Sequence, residues 1–135
     1  MSANMNFSAG TKEAINEELA RLSDFSKLYY LERIIHEKKD LALKKYCHNK
    51  LAIIYLEKGM YSKAAENVEV IARMAISYDE KIKALMNEIK LLVHGADYQK
   101  AEAILEKVIS IANPLRRIEI RKEFIRIYKE RAEDL

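Results

Sequence analysis

Phe25-Ser26-Lys27-Leu28, Tyr61-Ser62-Lys63-Ala64 and Tyr98-Gln99-Lys100-Ala101 repeat one pattern. Each has an aromatic ring, a lysine two positions on, and the start of an apolar helical stripe. The rings stand 36 and 37 residues apart. A period of that length marks an α-hairpin repeat, in which each unit is too small to bury its own apolar face and must stack on its neighbours. Stacked hairpins make a ribbon with one concave side, a shape suited to holding other proteins.

The rest of the chain is written in the same helical grammar. Half of its 135 residues are hydrophobic and a third are charged, with both signs interspersed. Three glycines and one proline leave little room for β-hairpin turns. Leu, Ala, Glu and Lys are good helix formers, so the composition predicts an all-α fold. Thr11 is placed to cap a first helix over about residues 12–22, and Ser23-Asp24 to interrupt it and start a second over 24–38. Asp40 precedes a third helix, 41–58, and Gly59 stands at its left-handed C-terminal position. Helices over 61–76, 80–94 and 98–112 follow, with Gly95 and Asp97 between the last two. Asn113-Pro114 is a cap followed by proline at the first helical position, where the missing N–H costs nothing, and a seventh helix runs to about residue 132. Loops of two to four residues require antiparallel neighbours. The small polar residues 1–10 read as a flexible N-terminus, and residues 11–135 as one domain.

At this point the residues carry a resemblance. Leu51, Ala52, Tyr55, Gly59, Tyr61, Ala64 and Val68 stand at the spacings of a tetratricopeptide repeat. Ala52 and Ala64 are small where the two helices of a hairpin cross. Gly95, Tyr98, Ala101, Leu105 and Val108 resemble the same pattern less fully: Glu88 stands where a small residue is usual, and Ala96-Asp97 lengthens the turn. The first copy is more divergent. Phe124, Ile125 and Tyr128 are in register with Leu51, Ala52 and Tyr55, so the seventh helix resembles the first helix of a further hairpin. The resemblance implies about three stacked hairpins and a C-terminal capping helix. A compact seven-helix bundle is the other arrangement these helices allow.

Chemistry-bearing residues are sparse. His36, His48, His94 and Cys47 are the soft metal ligands, and they show no Cys-x-x-Cys or His-x-x-x-His spacing. They read as structural residues, with no metal and no cofactor expected. The lone cysteine fits a reducing compartment. No apolar run approaches the roughly 18 to 20 residues that cross a bilayer, and the start lacks the basic and apolar regions of a signal peptide. Acidic residues mostly alternate with Lys or Arg at helical spacing, which describes solvated faces better than a catalytic pair. A cytoplasmic, non-enzymatic protein is the expectation, with no membrane and no small-molecule substrate.

In the family it resembles, the first helix of each hairpin lines the concave groove. Carried over singly, those positions are Tyr46, Asn49, Ile53 and Leu56 in the second repeat and Leu85, Ile89 and Leu92 in the third. Glu13, Glu17 and Ala20 fall there in the first repeat, and Lys122 and Arg126 in the seventh helix. Ile53, Met86 and Ile82 occupy the places where some members hold a peptide's terminal carboxylate. The expected function is an adaptor or scaffold for protein–protein interaction, taking an apolar peptide or helix of a partner along this strip. The alternative is an RNA- or ribosome-associated protein using Lys38, Lys39, Lys44, Lys45 and Lys50, a run opposed only by Asp40. A homodimer with mutually covered surfaces is a third reading.

Overall fold

The computed structural model describes residues 5–135, and they form seven α-helices. These are α1 (Lys12–Ala20), α2 (Asp24–Glu37), α3 (Leu41–Glu57), α4 (Tyr61–Met74), α5 (Tyr78–His94), α6 (Tyr98–Ile111) and α7 (Pro114–Glu133). From α2 to α6 each helix packs on the next, and α7 packs on α5 and α6. The helices are thus arranged consecutively as antiparallel pairs, a stack of hairpins closed by a C-terminal helix, with α1 the least closely packed.

The helix starts are written in capping residues. The side chains of Thr11, Ser23, Asp40, Ser77, Asp97 and Asn113 each accept a hydrogen bond from a backbone N–H of the first turn they precede. Met60, ahead of α4, has no such side chain. The chain breaks at Ser23, so α1 and α2 are separate helices.

From α2 to α6 the structural period is 37 residues, and α7 follows α5 by 36. Helices α2, α4 and α6 begin at residues 24, 61 and 98, and each is 14 residues long. Helices α3 and α5 begin at 41 and 78, and each is 17 residues long. The extended residues after α2, α4 and α6 are Lys38, Ala75 and Ala112, again 37 apart. The place of Tyr61 and Tyr98 is therefore held by Asp24 in the first copy, not by Phe25, which is 81% exposed.

The turns obey the same period. Gly59 has φ +73° and Ala96 has φ +63°. Met60 N–H donates to the carbonyl of Tyr55 and Asp97 N–H to that of Leu92, both at 2.8 Å. The residue equivalent to Gly59 is thus Ala96, not Gly95. Gly95 has an ordinary φ of −86° and is needed for space: a Cβ there would meet Tyr61 Cβ at 2.8 Å. The left-handed conformation falls to an alanine because the close approach of α4 claims the glycine.

Small residues sit where the hairpins cross. Ala64 and Ala101 are fully buried, and Ala65 and Ala72 let α4 lie close to its neighbours on both sides. In α2 the corresponding position is Lys27, and α1 makes no extended packing with α2. Helix α1 is only nine residues long. Cover for α2 comes instead from the leader. Met5 and Ala9 are buried, and Phe7 packs against Tyr29 and Tyr30, with centroids 6.1 and 5.5 Å away. The Arg33 guanidinium lies 4.1 Å over the Phe7 ring. Tyr30 donates its hydroxyl to the Asn6 carbonyl at 2.8 Å, and Asn6 N–H donates to Glu18 at 2.9 Å. The flexible N-terminus expected over residues 1–10 does not anticipate this packing of residues 5–9; residues 1–4 lie outside the described residues.

Candidate functional site

Helices α3, α5 and α7 frame two neighbouring hollows. The first has α3 and α5 as walls and α4 as floor. Its rim carries Lys45 and Asn49 from α3 and Glu80, Lys83 and Asn87 from α5; Val68 and Ile71 of α4, with Ala75 just past its end and Ala84 of α5, line its base. Its volume is about 330 Å³. The second lies between α5 and α7 and has about 320 Å³. Ile82, Met86 and Ile120 form its apolar lining, and Lys83, Arg116, Glu119 and Glu123 its charged rim. Lys83 belongs to both, so the two hollows flank one stretch of α5.

Local helical periodicity explains this surface. Lys83, Asn87 and Lys90 recur at four and three residues and form the open face of α5. Glu80 reaches Lys45 at 3.7 Å across the first hollow, and Lys83 reaches Asp79 at 3.1 Å. Arg116 contacts both Asp79 and Glu119 beside the second. These pairs are solvent-exposed and contribute little to stability, but they fix a mixed-sign rim around apolar floors.

The expected apolar strip is only half present. Ile53 and Leu56 are each 44% exposed, and Asn49 is exposed. Tyr46 is half-buried: its hydroxyl donates to Asn16 of α1, and Lys12 and Lys50 lie 5.6 and 5.4 Å from its ring centroid. Leu85, Ile89 and Leu92, in contrast, are buried core residues. The error is one of phase. Matching Gly95 to Gly59 sets the third repeat 36 residues on, whereas the helices follow 37. One residue rotates a helical position by about 100°, which turns a surface row into a core row. At the true period Tyr46, Asn49, Ile53 and Leu56 correspond to Lys83, Met86, Lys90 and Val93; Val93 is buried and Met86 half-buried, so the exposed members of the row on α5 are the two lysines. Lys83 and Asn87 were missed for this reason, and the equal lengths of the loops between Asp40 and Ser77 carried the signal; Glu119 and Glu123, on α7, lie beside the positions carried over there, Lys122 and Arg126. In the seventh helix, Lys122 and Arg126 are exposed; Arg126 is tied to Glu123 and Glu130. At the other end, Glu13, Glu17 and Ala20 are exposed on α1.

The lysine-rich run does not converge. Lys44, Lys45 and Lys50 point in three directions around α3. Lys45 pairs with Glu80, Lys50 lies by the Tyr46 ring, and Lys38 is the half-buried residue that ends α2.

His36 is exposed on α2, and the other reactive groups are occupied or sealed. Burial pushes the Cys47 thiol up to about 11, which makes it a poor nucleophile. His48 Nδ1 lies 2.9 Å from Asn67 Oδ1. His94 stacks on Tyr61 at 6.2 Å, with Asp134 at 3.7 Å. Arg21, by direct hydrogen bonds, and then the Asn6 N–H hold the Glu18 carboxyl below the usual carboxylate range. Among the described residues there is no group of three His, Cys, Asp or Glu side chains placed to share a metal ion, and no helix is long and apolar enough to cross a membrane.

No protein-family model, curated protein or solved structure matches this chain.

Proposed function

We propose that this chain is a non-catalytic adaptor of the tetratricopeptide-like kind, acting in the cytoplasm, that holds an extended segment of a protein partner across α3, α5 and α7. The observation that carries the reading is the pair of adjoining hollows, apolar at the base and polar at the rim, on either side of one helix face. An extended chain places alternate side chains on opposite sides. Two of them can enter the hollows while the backbone runs over α5. The amides of Asn49 and Asn87 each offer a donor and an acceptor, the combination that pairs with a peptide group in both directions. Lys45 and Lys83 on one side, and Glu119 and Glu123 on the other, favour a segment whose charge changes sign along its length. This differs from the purely apolar strip expected earlier, because the α5 half of that strip is core. The RNA reading loses its coherent patch once the lysines splay around α3.

Selection from a displayed random-peptide library tests the proposal. The wild-type protein should enrich peptides with two apolar residues separated by polar ones. Asn49→Ala with Asn87→Ala should weaken their binding at least about tenfold, with an unchanged thermal midpoint because both side chains are exposed. Enrichment that survives the double substitution would place the binding surface elsewhere.

A further inference from the structure

Leu115, Ile118 and Ile125 are 71, 54 and 54% exposed on α7. Spacings of three and seven residues put them on one helix face. Arg121, Lys122 and Lys129 share that face. All three are exposed, and none has an ion-pair partner among the described residues, whereas Arg126 next to them is held by two glutamates.

The register of α7 shows what the face corresponds to. Counted from the N-caps Ser77 and Asn113, positions 5 and 12 are Ile82 and Ile89 in α5, and Ile118 and Ile125 in α7. In α5 both isoleucines are buried, and that helix has α4, α6 and α7 packed around it. Helix α7 packs chiefly on α5 and α6, and the same two positions face water. Positions 8 and 16 are Leu85 and Val93 in α5, both buried, but Arg121 and Lys129 in α7. The face thus keeps the isoleucines of a helix–helix seam and carries cations where the preceding seam is apolar.

We infer that this outer face of α7 docks an acidic amphipathic helix of a partner protein, laid along it as the next helix of the stack. The register of an interface already used inside the molecule supplies the shape. Three unpaired cations among three exposed apolar side chains supply the sign. A second copy of α7 fits poorly, because it would bring the same three cations against their own kind. Burying Leu115, Ile118 and Ile125 supplies apolar contact, and carboxylates on the incoming helix pair with Arg121, Lys122 and Lys129. This surface is separate from the two hollows, so either can hold if the other fails.

The test uses a synthetic 21-residue helical peptide with leucines at three- and four-residue spacing and glutamates beside them, and a control with lysines for glutamates. By fluorescence anisotropy with the full chain, the glutamate peptide should bind at least about tenfold tighter than the control. Ile118→Ser with Ile125→Ser should remove that binding. Lys122→Glu with Lys129→Glu should reverse the preference toward the lysine peptide. These side chains are exposed, so thermal midpoints should stay put. The glutamate peptide joined to Leu135 by a Gly-Ser linker should raise the midpoint, since tethering supplies a high local concentration. Equal binding of both peptides, or no binding in trans together with no shift when tethered, would overturn the inference. So would a monomer–dimer equilibrium abolished by the isoleucine pair, or α7-dependent binding to phosphatidylserine vesicles in place of the peptide.

Discussion

Glu88 is the residue at which the sequence and its surroundings disagree most. It is fully buried on α5, and neither carboxyl oxygen has a hydrogen-bond partner among the described residues. The equivalent residue 37 positions earlier is Leu51. Burial, and then the charge of Glu69, push the Glu88 carboxyl up to about 7, against the pull of Lys100, Lys107 and Arg73. Lys100 and Arg73 are both engaged with Glu69, at 3.8 and 2.9 Å, so no cation is committed to Glu88. Because the folded value lies above the ordinary value of 4.5, the folded state holds the proton more tightly than the unfolded chain. The stability it permits is fully present below about pH 4.5 and declines as pH rises to about 7, by roughly 3 kcal/mol. Urea melts from pH 4 to 9 should show this decline in the wild type and its disappearance in Glu88→Leu. That variant should also be the more stable at every pH, since even the protonated carboxyl has no partner. A wild-type profile that is flat through this window would mean that Glu88 finds water or a counter-ion.

At the scale of elements, the seven helices were readable because caps and short loops are local signals. Thr11, Ser23, Asp40 and Asn113 act as their residue types predict, and Pro114 opens α7. Helix α5 begins at Tyr78 rather than near residue 80, because Ser77, and not the Ser77–Asp79 stretch as a whole, is the cap. What was not readable was the register of the third hairpin. Residue identity tied Gly95 to Gly59, while backbone conformation ties Ala96 to Gly59. A contact made across the fold, Gly95 against Tyr61, decided where the glycine went. That contact has no local signature, and the groove residues on α5 were displaced with it. Thermal midpoints of three turn variants check this account. Gly59→Ala should destabilise by about 1 kcal/mol, since alanine resists positive φ. Ala96→Gly should stabilise by a few tenths to about 1 kcal/mol for the same reason. Gly95→Ala should destabilise despite its ordinary φ, because its Cβ meets Tyr61. Stabilisation by Gly95→Ala would contradict the role assigned to that contact.

Over the whole molecule, the stack is asymmetric. Its N-terminal end is closed by the leader: Met5, Phe7 and Ala9 cover α2 where α1 is too short to do so. Its C-terminal end leaves an apolar and basic row of α7 open. Between them, the face of α3, α5 and α7 carries the hollows on which the adaptor reading rests. The most direct measurement of that reading is chemical-shift mapping of the ¹⁵N-labelled chain, titrated with a peptide enriched in the library selection. The account predicts that the largest perturbations fall on Asn49, Lys83, Asn87, Glu119 and Glu123, with the outer row of α7 unmoved. Perturbations confined to Leu115, Ile118 and Ile125, or spread over the lysines between residues 38 and 50, would contradict it.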